Sequence, residues 1–285
     1  MRKILLQLDS APQPSVFDAI TALDSEDCVM LRHGGVTDEN VVPLVHGCMF
    51  TRSPRDIGGT AIFIGGSSVE ESEKILKKVR HTLWSPFDAS VMFDPNGCNT
   101  TSAAAVRSMT SACCVKGKKV VILSGTGPVG QRSAGLFMGL GASVLITSRN
   151  IDKAKTVADA VRERFGSSPD CAVMRQDSDL PSVLDGAVAV LCCGAAGVRL
   201  IPESIWKEHP TLKVVADVNA VPPLGAEAVE TGWYGREESG KLLYGAIGIG
   251  GLKMKIHHRA VARLFESKGL VLDTESIYEL AASAE

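Results

Sequence analysis

The sequence predicts an α/β protein of two domains, each built on a parallel sheet that helices cover on both faces. Short β-branched runs alternate with longer stretches of helical periodicity along the chain, and this alternation favours parallel sheets. A length of 285 residues corresponds to about two domains of ordinary size. The composition, 45% hydrophobic and 22% charged, is typical of a globular protein and excludes a disordered chain.

The first part of the chain supplies the elements of an N-terminal α/β substrate domain. Short apolar runs predict strands at residues 3–8, 60–64 and 89–93, with weaker candidates at 28–31 and 48–50. Helical spacing of apolar residues, clearest for positions 69, 75, 76, 79 and 83, predicts helices at 14–23, 69–83 and 99–113.

The second part begins after a short basic hinge at residues 116–119. Strands are predicted at residues 120–123, 143–147, 172–174, 187–192 and 213–216. Helices are predicted at 129–140, 151–165, 252–265 and, capped by Asp273, through residue 282. We therefore assign residues 1–112 to the first domain and 113–269 to the second. We expect the C-terminal helix within 270–285 to return to the first domain.

Charge and cysteine usage exclude several classes of function. A formal net charge of −2 without a basic block argues against nucleic-acid binding. The stretch 186–198 is too short to span a bilayer, and residues 4–8 fit a buried strand better than a signal peptide. The eight cysteines contain no C-x-x-C pair and the six histidines no H-E-x-x-H. We expect a cytoplasmic protein that binds no metal and keeps its thiols reduced.

A glycine-rich turn carries the clearest functional signal. Residues 125–130 read G-x-G-x-x-G and lie between a buried-type strand and a helix. In this context the motif is typical of a Rossmann-type dinucleotide site, where the pyrophosphate lies at the helix N-terminus. The predicted contacts are Gly125, Thr126, Gly127, Pro128, Val129 and Gly130.

The end of the next strand indicates which dinucleotide is bound. An NAD site usually has an acid about 20 residues beyond the glycines, but this chain has Ser148 and Arg149 there. Arg149 is suited to a 2′-phosphate, with Ser148 and Lys153 beside it, so the sequence favours NADP and leaves NAD open. Gly194, in a second glycine cluster after the strand 187–192, either makes room for the nicotinamide ribose or forms a simple turn.

Two further segments predict a substrate site in the cleft between the domains. Asp94, Asn96, Asn99 and Thr100 lie in a polar run between a strand and a helix, although turn and cap roles would explain some of them. In the second segment, residues 244–255, a glycine-rich stretch leads into a helix that carries two lysines two positions apart, Lys253 and Lys255. The helix dipole disfavours a positive charge at a helix start, so a lysine placed there is better explained by a functional role than as a solvated surface residue. Of the two lysines we choose Lys253.

Six segments together resemble one family, the methylene-tetrahydromethanopterin dehydrogenases of methylotrophic bacteria, distant relatives of the methylene-tetrahydrofolate dehydrogenases. These segments are residues 14–18, 60–66, 94–101, 125–130, 216–225 and 245–255. The resemblance implies a two-domain subunit with the pterin in the cleft, a cytoplasmic homo-oligomer, and NAD(P) as oxidant of tetrahydromethanopterin-bound carbon. It adds Asn219 to the cofactor set and Asp18 to the substrate set. The catalytic-lysine motif of the tetrahydrofolate relatives is not found.

The expected reaction is hydride transfer from methylene-tetrahydromethanopterin to NAD(P)⁺, with Asp94 and Lys253 as catalytic candidates. Three alternatives stay open at this point. Methylene-tetrahydrofolate could be the main substrate, the protein could reduce a small carbonyl compound, or it could be a non-catalytic NADP sensor.

Overall fold

The structure, a computed structural model, describes residues 1–282. Contacts divide the chain into two compact units, one formed by Met1–Thr100 and the chain from Met254 onward, the other by Thr101–Lys253. Sequence analysis set both transitions later in the chain, at 112/113 and 269/270. The last three residues of the predicted segment 270–285 lie outside the described residues.

The first unit is built on a five-stranded parallel sheet. With elements numbered in chain order, its strands are β1 (Lys3–Asp9), β2 (Cys28–His33), β3 (Thr60–Gly65), β4 (Ser90–Phe93) and β12 (Val271–Leu272). Its helices are α1 (Val16–Ser25), α2 (Val41–Phe50), α3 (Val69–Thr82) and α10 (Thr274–Ala281). The spatial order is β12-β4-β3-β1-β2. All residues of β3 and β4 are buried, as expected for strands covered on both faces.

The second unit is built on a seven-stranded sheet. Its strands are β5 (Lys119–Leu123), β6 (Ser143–Ser148), β7 (Asp170–Val173), β8 (Ala187–Cys192), β9 (Val214–Asp217), β10 (Tyr234–Glu238) and β11 (Lys241–Tyr244). Its helices are α5 (Pro128–Gly139), α6 (Ile151–Phe165), α7 (Leu180–Leu184) and α8 (Glu203–Glu208). The order β10-β11-β9-β8-β5-β6-β7 contains the six parallel strands of a doubly wound sheet, reversing between β5 and β8.

Two long helices belong to both units. They are α4 (Cys98–Ala112) and α9 (Ala246–Arg263), and the unit boundaries fall within them. The chain therefore passes between the units inside regular helix at both crossings. The predicted α/β class with a Rossmann-type second sheet is confirmed.

The predicted strand at residues 48–50 is wrong, because this segment is the last turn of α2. Its buried positions, Val41, Val45, Cys48 and Met49, follow helical spacing and pack into the core of the first unit. Strand propensity of the short apolar run is overridden by this packing.

The predicted start of the helix at residue 252 is also wrong, because α9 already begins at Ala246. Glycine disfavours helix on propensity alone, but here close packing requires it. A Cβ on Gly248 would lie 2.8 Å from the carbonyl carbon of Trp233. The amides of Ile247 and Gly248 donate to the Thr231 carbonyl at 2.8 and 3.0 Å, which holds the first turn in place.

Sequence analysis also missed the antiparallel hairpin of β10 and β11. Its two-residue turn, Ser239 and Gly240, has φ values of 50° and 70°, the left-handed pair that closes a tight hairpin. The Ser-Gly dipeptide is a recognised turn signal and was available in the sequence.

Candidate active site

The glycine-rich turn forms the N-terminus of α5, directly after β5. Gly127 is the residue that precedes the helix and provides no side-chain cap, and Pro128 occupies the first turn. The first-turn amides of Val129 and Gly130 therefore have no acceptor within the helix. Free amides and the positive end of the helix dipole favour an anion at this turn.

The glycines of the turn have different tasks. A Cβ on Gly130 would lie 2.6 Å from the Gly125 Cα, so this glycine permits the helix to pack on the strand end. A Cβ on Gly127 would meet nothing within 4 Å. Gly127 therefore faces open space, at the position where a pyrophosphate approaches the backbone in dinucleotide sites.

Thr147 of β6 fixes the start of the turn. Its hydroxyl accepts from the Ser124 amide at 2.9 Å, and its carbonyl accepts from the Gly125 amide at 3.1 Å. Ser124 has a φ of 53°, in the left-handed region that is uncommon for a residue with a Cβ, and the two bonds from Thr147 hold the backbone there. Thr147 is buried, and sequence analysis had placed it in a strand without assigning it this task.

A cavity of about 360 Å³ opens beside the turn. Six of the predicted cofactor residues line it: Thr126, Gly127, Ser148, Arg149, Lys153 and Gly194. Ser124, Asn150, Cys193 and Ala195 complete its wall. The structure thus brings together the glycine-rich turn, the end of β6 and the second glycine cluster, which are separate in the sequence.

Within residues 1–282, no acidic side chain pairs with the two cations of this cavity, Arg149 and Lys153. The side chains of Arg149 and Lys153 are exposed and form no ion pair within residues 1–282. Asn150 caps α6 by accepting from the amides of Asp152 and Lys153 at 2.8 and 3.2 Å, which fixes the lysine at the helix start. Two unpaired cations beside a phosphate turn fit a dinucleotide that carries an additional 2′-phosphate.

Gly194 and Asn219 fit the cofactor assignment unequally. A Cβ on Gly194 would lie 2.9 Å from a methyl group of Leu200, so this glycine both lines the cavity and permits close packing. The side-chain amide of Asn219 bonds to the backbone of its own loop. Its Nδ2 donates to the Val221 carbonyl at 3.1 Å, and its Oδ1 accepts from the Val221 backbone amide at 3.0 Å. Its contact with a cofactor stays a prediction.

In the first unit, acidic residues collect at the carboxyl edge of the parallel sheet. Asp9 ends β1 opposite Gly65 of β3, and Asp94 follows β4. Asp18, in the first turn of α1, is buried, and its Oδ2 lies 3.2 Å from the position of a Cβ on Gly65. Ligands of open α/β sheets bind outside this edge, so the placement suits the substrate roles predicted for Asp18 and Asp94.

Asp94 is completely buried and organises the start of α4. Its Oδ1 accepts from the amides of Asn99 and Thr100 at 2.8 and 3.0 Å, and its Oδ2 accepts from the Thr100 hydroxyl at 2.6 Å. With both oxygens engaged, the carboxylate holds the turn in place. A direct catalytic contact of Asp94 with the substrate stays a prediction.

His257 is the neighbour of Asp94 that sequence analysis missed. It projects from α9, is 1% exposed, and places Nδ1 3.5 Å from Asp94 Oδ2 while its ring packs against Phe63. Burial acts to raise the pKa of the Asp94 carboxyl, but His257 and the Thr100 donors outweigh it, so the pKa is lowered. The signal available in the sequence was the i, i+4 spacing of Lys253 and His257, which places them on one helix face.

The remaining substrate candidates differ in exposure. Asn99 and Thr100 are buried, and Asn99 is used structurally, accepting from the Thr274 hydroxyl at 2.9 Å and donating to the Phe93 carbonyl. Asn96 is exposed and has left-handed backbone with a φ of 51°. Of these residues, Asn96 is therefore the one whose side chain is open to a ligand.

Lys253 lies two turns inside α9 and is half-buried. Lys253 therefore does not stand at a helix start, the position predicted from the sequence, since that start is at Ala246. Lys255, two residues further on, is exposed, as the i and i+2 positions of a helix do not share a face. A functional role of Lys253 now depends on its burial and stays a prediction.

The buried cap at Asp94 leads to a stability prediction. Asp94→Ala is expected to lower the free energy of unfolding by about 2–4 kcal/mol, because three buried donors lose their acceptor. Asp273→Ala, which removes the half-buried cap of α10, is the matched control and should cost about 1 kcal/mol. Denaturant unfolding at neutral pH measures both; equal, small losses would show that the Asp94 network contributes little.

The same network predicts that the free energy of unfolding depends on pH in the acidic range. Since folding lowers the pKa of Asp94, its contribution is present above the carboxyl pKa of the unfolded chain and is lost as the pH falls through the lower, folded pKa. Urea unfolding at a series of acidic pH values should therefore show a steeper loss of stability for the wild type than for Asp94→Ala. Parallel curves would contradict this.

Two other structural features are absent from residues 1–282. No three His, Cys, Asp or Glu side chains in this range come together as a metal-ligand group. None of the helices there combines the length and apolar character of a membrane span.

Solved structures with the same fold include a dehydrogenase and a reductase. Shikimate 5-dehydrogenase from Listeria monocytogenes, solved with shikimate and NAD, has a TM-score of 0.56 at 13% identity, covering 98% of this chain and 96% of that one. Ligand-free 5-ketofructose reductase of Gluconobacter has a TM-score of 0.52 at 15% identity, covering 100% and 99%. At such identities the likeness shows the fold alone. With the glycine turn and its cavity, the fold and site define the class of α/β proteins that carry a Rossmann-type dinucleotide-binding unit.

Sequence relatives identify the family within this class. The family described as methylene-tetrahydromethanopterin dehydrogenase, N-terminal, matches residues 16–96. The NAD(P)-dependent methylenetetrahydromethanopterin dehydrogenase of Methylorubrum extorquens is 30% identical over 98% of both chains. The bifunctional protein MdtA of the same organism is 42% identical, again over 98% of both. The chain belongs to the methylene-tetrahydromethanopterin dehydrogenase family.

Proposed function

We propose that the protein oxidises 5,10-methylene-tetrahydromethanopterin to the 5,10-methenyl form with NADP⁺ as the preferred oxidant, in one-carbon metabolism that oxidises formaldehyde. The observation that carries the cofactor choice is the pair of unpaired cations, Arg149 and Lys153, at the place where NAD sites have an acid. Family membership carries the choice of pterin. We further propose that it acts as a cytoplasmic homo-oligomer.

The residues of the second unit fit the dinucleotide in two places. The first-turn amides of Val129 and Gly130 are suited to the pyrophosphate, and Gly127 leaves room for it. Arg149 and Lys153, with the Ser148 hydroxyl on the same wall, are suited to the 2′-phosphate. When bound, the oxidised nicotinamide supplies the hydride acceptor.

The reaction requires little general acid or general base catalysis from the protein. The methylene carbon lies between two nitrogens, and their lone pairs stabilise the methenyl cation as hydride leaves. The balance is methylene-tetrahydromethanopterin plus NADP⁺ to methenyl-tetrahydromethanopterin cation plus NADPH. The chain's contribution is to hold the two rings at reacting distance and to exclude water that would hydrolyse the product. In this account Asp94 and His257 act by fixing the start of α4, beside Asn96.

A kinetic prediction concerns Lys253. If its half-buried side chain contacts the pterin or organises its site, Lys253→Ala should lower kcat/KM for the pterin by about 10-fold or more and leave NADP⁺ affinity unchanged. Lys255→Ala, on the exposed face of the same helix, is the matched control and should behave as wild type. Steady-state kinetics with melting curves decide between this result and wild-type kinetics in both variants, which would remove Lys253 from the site.

The proposal of direct hydride transfer is tested by isotope. With both hydrogens of the substrate's methylene carbon replaced by deuterium, each NADPH formed should carry one deuterium at the nicotinamide, as read by mass spectrometry. The same reaction with unlabelled substrate in heavy water should give NADPH without deuterium at that carbon. Exchange with solvent would contradict direct transfer.

Two alternatives are separated by simple observations. One relative is named bifunctional, so family membership alone does not fix the substrate. Methylene-tetrahydrofolate is the second candidate substrate, and comparison of the two pterins distinguishes them. A non-catalytic sensor would bind NADP⁺ stoichiometrically and reduce none of it with either pterin.

A further inference from the structure

We propose that Arg175 is a second specificity-determining residue for the cofactor, a guanidinium that binds the adenosine 2′-phosphate together with Arg149. The inference rests on the proposed use of NADP⁺ and deepens it. Neither the glycine motif nor the end of β6 points to this residue, because it follows a different strand, β7.

The sheet places Arg175 next to Arg149. Ser148 pairs with Val173 in the parallel register of β6 and β7, and the Met174 amide donates to the Ser148 carbonyl at 3.0 Å. The residues that follow each strand therefore leave the sheet side by side. Arg175 Nε donates to the Arg149 carbonyl at 3.1 Å, which connects the two loops directly.

Arg175 is held at both ends. Its amide donates to Asp179 Oδ2 at 2.8 Å, and the same carboxylate accepts from the Gln176 amide at 3.1 Å. With the backbone fixed by Asp179 and Nε fixed by Arg149, the two Nη groups are oriented before any ligand arrives. Such preorganisation reduces the entropy that a bound phosphate would otherwise cost.

The surrounding cavity joins Arg175 to the dinucleotide site. A second cavity of about 170 Å³ is lined by Arg175 and Gln176, and it shares Ser124, Arg149 and Ala195 with the dinucleotide cavity. Arg175 thus lies on a wall that continues from the proposed phosphate subsite, and Asp177 and Arg199 line the same cavity.

The charges on this wall distinguish Arg175 from its neighbour Arg199. Arg199 is neutralised by Asp177 at 2.6 Å and Glu227 at 3.3 Å. Within residues 1–282, the Arg175 side chain makes no ion pair with any acid, and neither does Arg149. Asp179, which accepts from the Arg175 amide, also attracts the Arg175 charge and balances part of it. A phosphate dianion beside the two linked guanidinium groups adds a charge-assisted partner for both.

The test is calorimetric titration of the full chain with NADP⁺, NAD⁺ and adenosine 2′,5′-bisphosphate. Arg175→Gln is expected to weaken NADP⁺ and the bisphosphate by about 3- to 10-fold, an effect moderated by exposure, and to leave NAD⁺ within twofold. Arg175→Lys should recover part of the loss, since it keeps the charge. Arg162→Gln, an exposed arginine at the end of α6 with the same change in charge, is the control and should match wild type.

The outcomes separate this inference from the proposed function. If the wild type binds NADP⁺ no better than NAD⁺, the proposed cofactor preference fails. If the wild type prefers NADP⁺ and Arg149→Gln weakens it, but Arg175→Gln binds all three ligands as wild type does, only the role of Arg175 is overturned. Equal losses for NADP⁺ and NAD⁺ in Arg175→Gln also overturn it, because they would indicate loop support without phosphate recognition.

Discussion

Gly127→Val is expected to abolish dinucleotide binding while the protein remains folded. A Cβ at this position meets nothing within 4 Å, so the folded chain accommodates the side chain. The valine then fills the space that the pyrophosphate needs to approach the free amides of α5. Calorimetric titration with NADP⁺ should show at least a 100-fold loss of affinity, roughly 2.7 kcal/mol or more.

The matched control is Gly139→Val, at the other end of the same helix. A Cβ on Gly139 also meets nothing within 4 Å, and the residue is exposed. This variant should bind NADP⁺ as wild type does, and both variants should melt cooperatively. Unchanged NADP⁺ binding by a folded Gly127→Val protein would mean that the glycine motif is only a structural turn.

Arg149→Asp is expected to reverse the preference between the two dinucleotides. It removes a charge-assisted bond to the 2′-phosphate, worth about 1.5–3 kcal/mol, so NADP⁺ affinity should fall roughly 10- to 150-fold. The new carboxylate repels the phosphate but can accept from the 2′-hydroxyl of NAD⁺, so NAD⁺ affinity should be retained. Arg162→Asp on α6 is the control for the change in charge. Equal losses for both dinucleotides would remove Arg149 from the phosphate site.

The features that the sequence predicted correctly depend on local chemistry. Gly127 and Gly130 occupy a strand–turn–helix whose geometry follows from the residues of the turn itself, and Arg149 follows β6 by simple spacing. Parallel strands such as β5 and β8 are continuous apolar runs, which burial on both faces requires. These are short-range patterns, so a single sequence contains them.

The features that it missed depend on contacts between distant segments. The glycines at the start of α9 predict loop by propensity, and only the backbone near Trp233 explains why they are helical. His257 and Asp94 lie more than 150 residues apart, and nothing local indicates that they meet. The position of Arg175 beside Arg149 likewise depends on the pairing of two strands, and its bond to the Arg149 carbonyl could not be predicted from the local sequence.

The central claim, that this chain is an NADP-dependent methylene-tetrahydromethanopterin dehydrogenase, is tested most directly by one assay. NADPH formation is followed at the nicotinamide absorbance with methylene-tetrahydromethanopterin and methylene-tetrahydrofolate side by side, each with NADP⁺ and with NAD⁺. The account predicts turnover with methylene-tetrahydromethanopterin and NADP⁺ at a higher kcat/KM than with any other combination. Stoichiometric NADP⁺ binding without reduction by either pterin, or reduction by methylene-tetrahydrofolate alone, would contradict it.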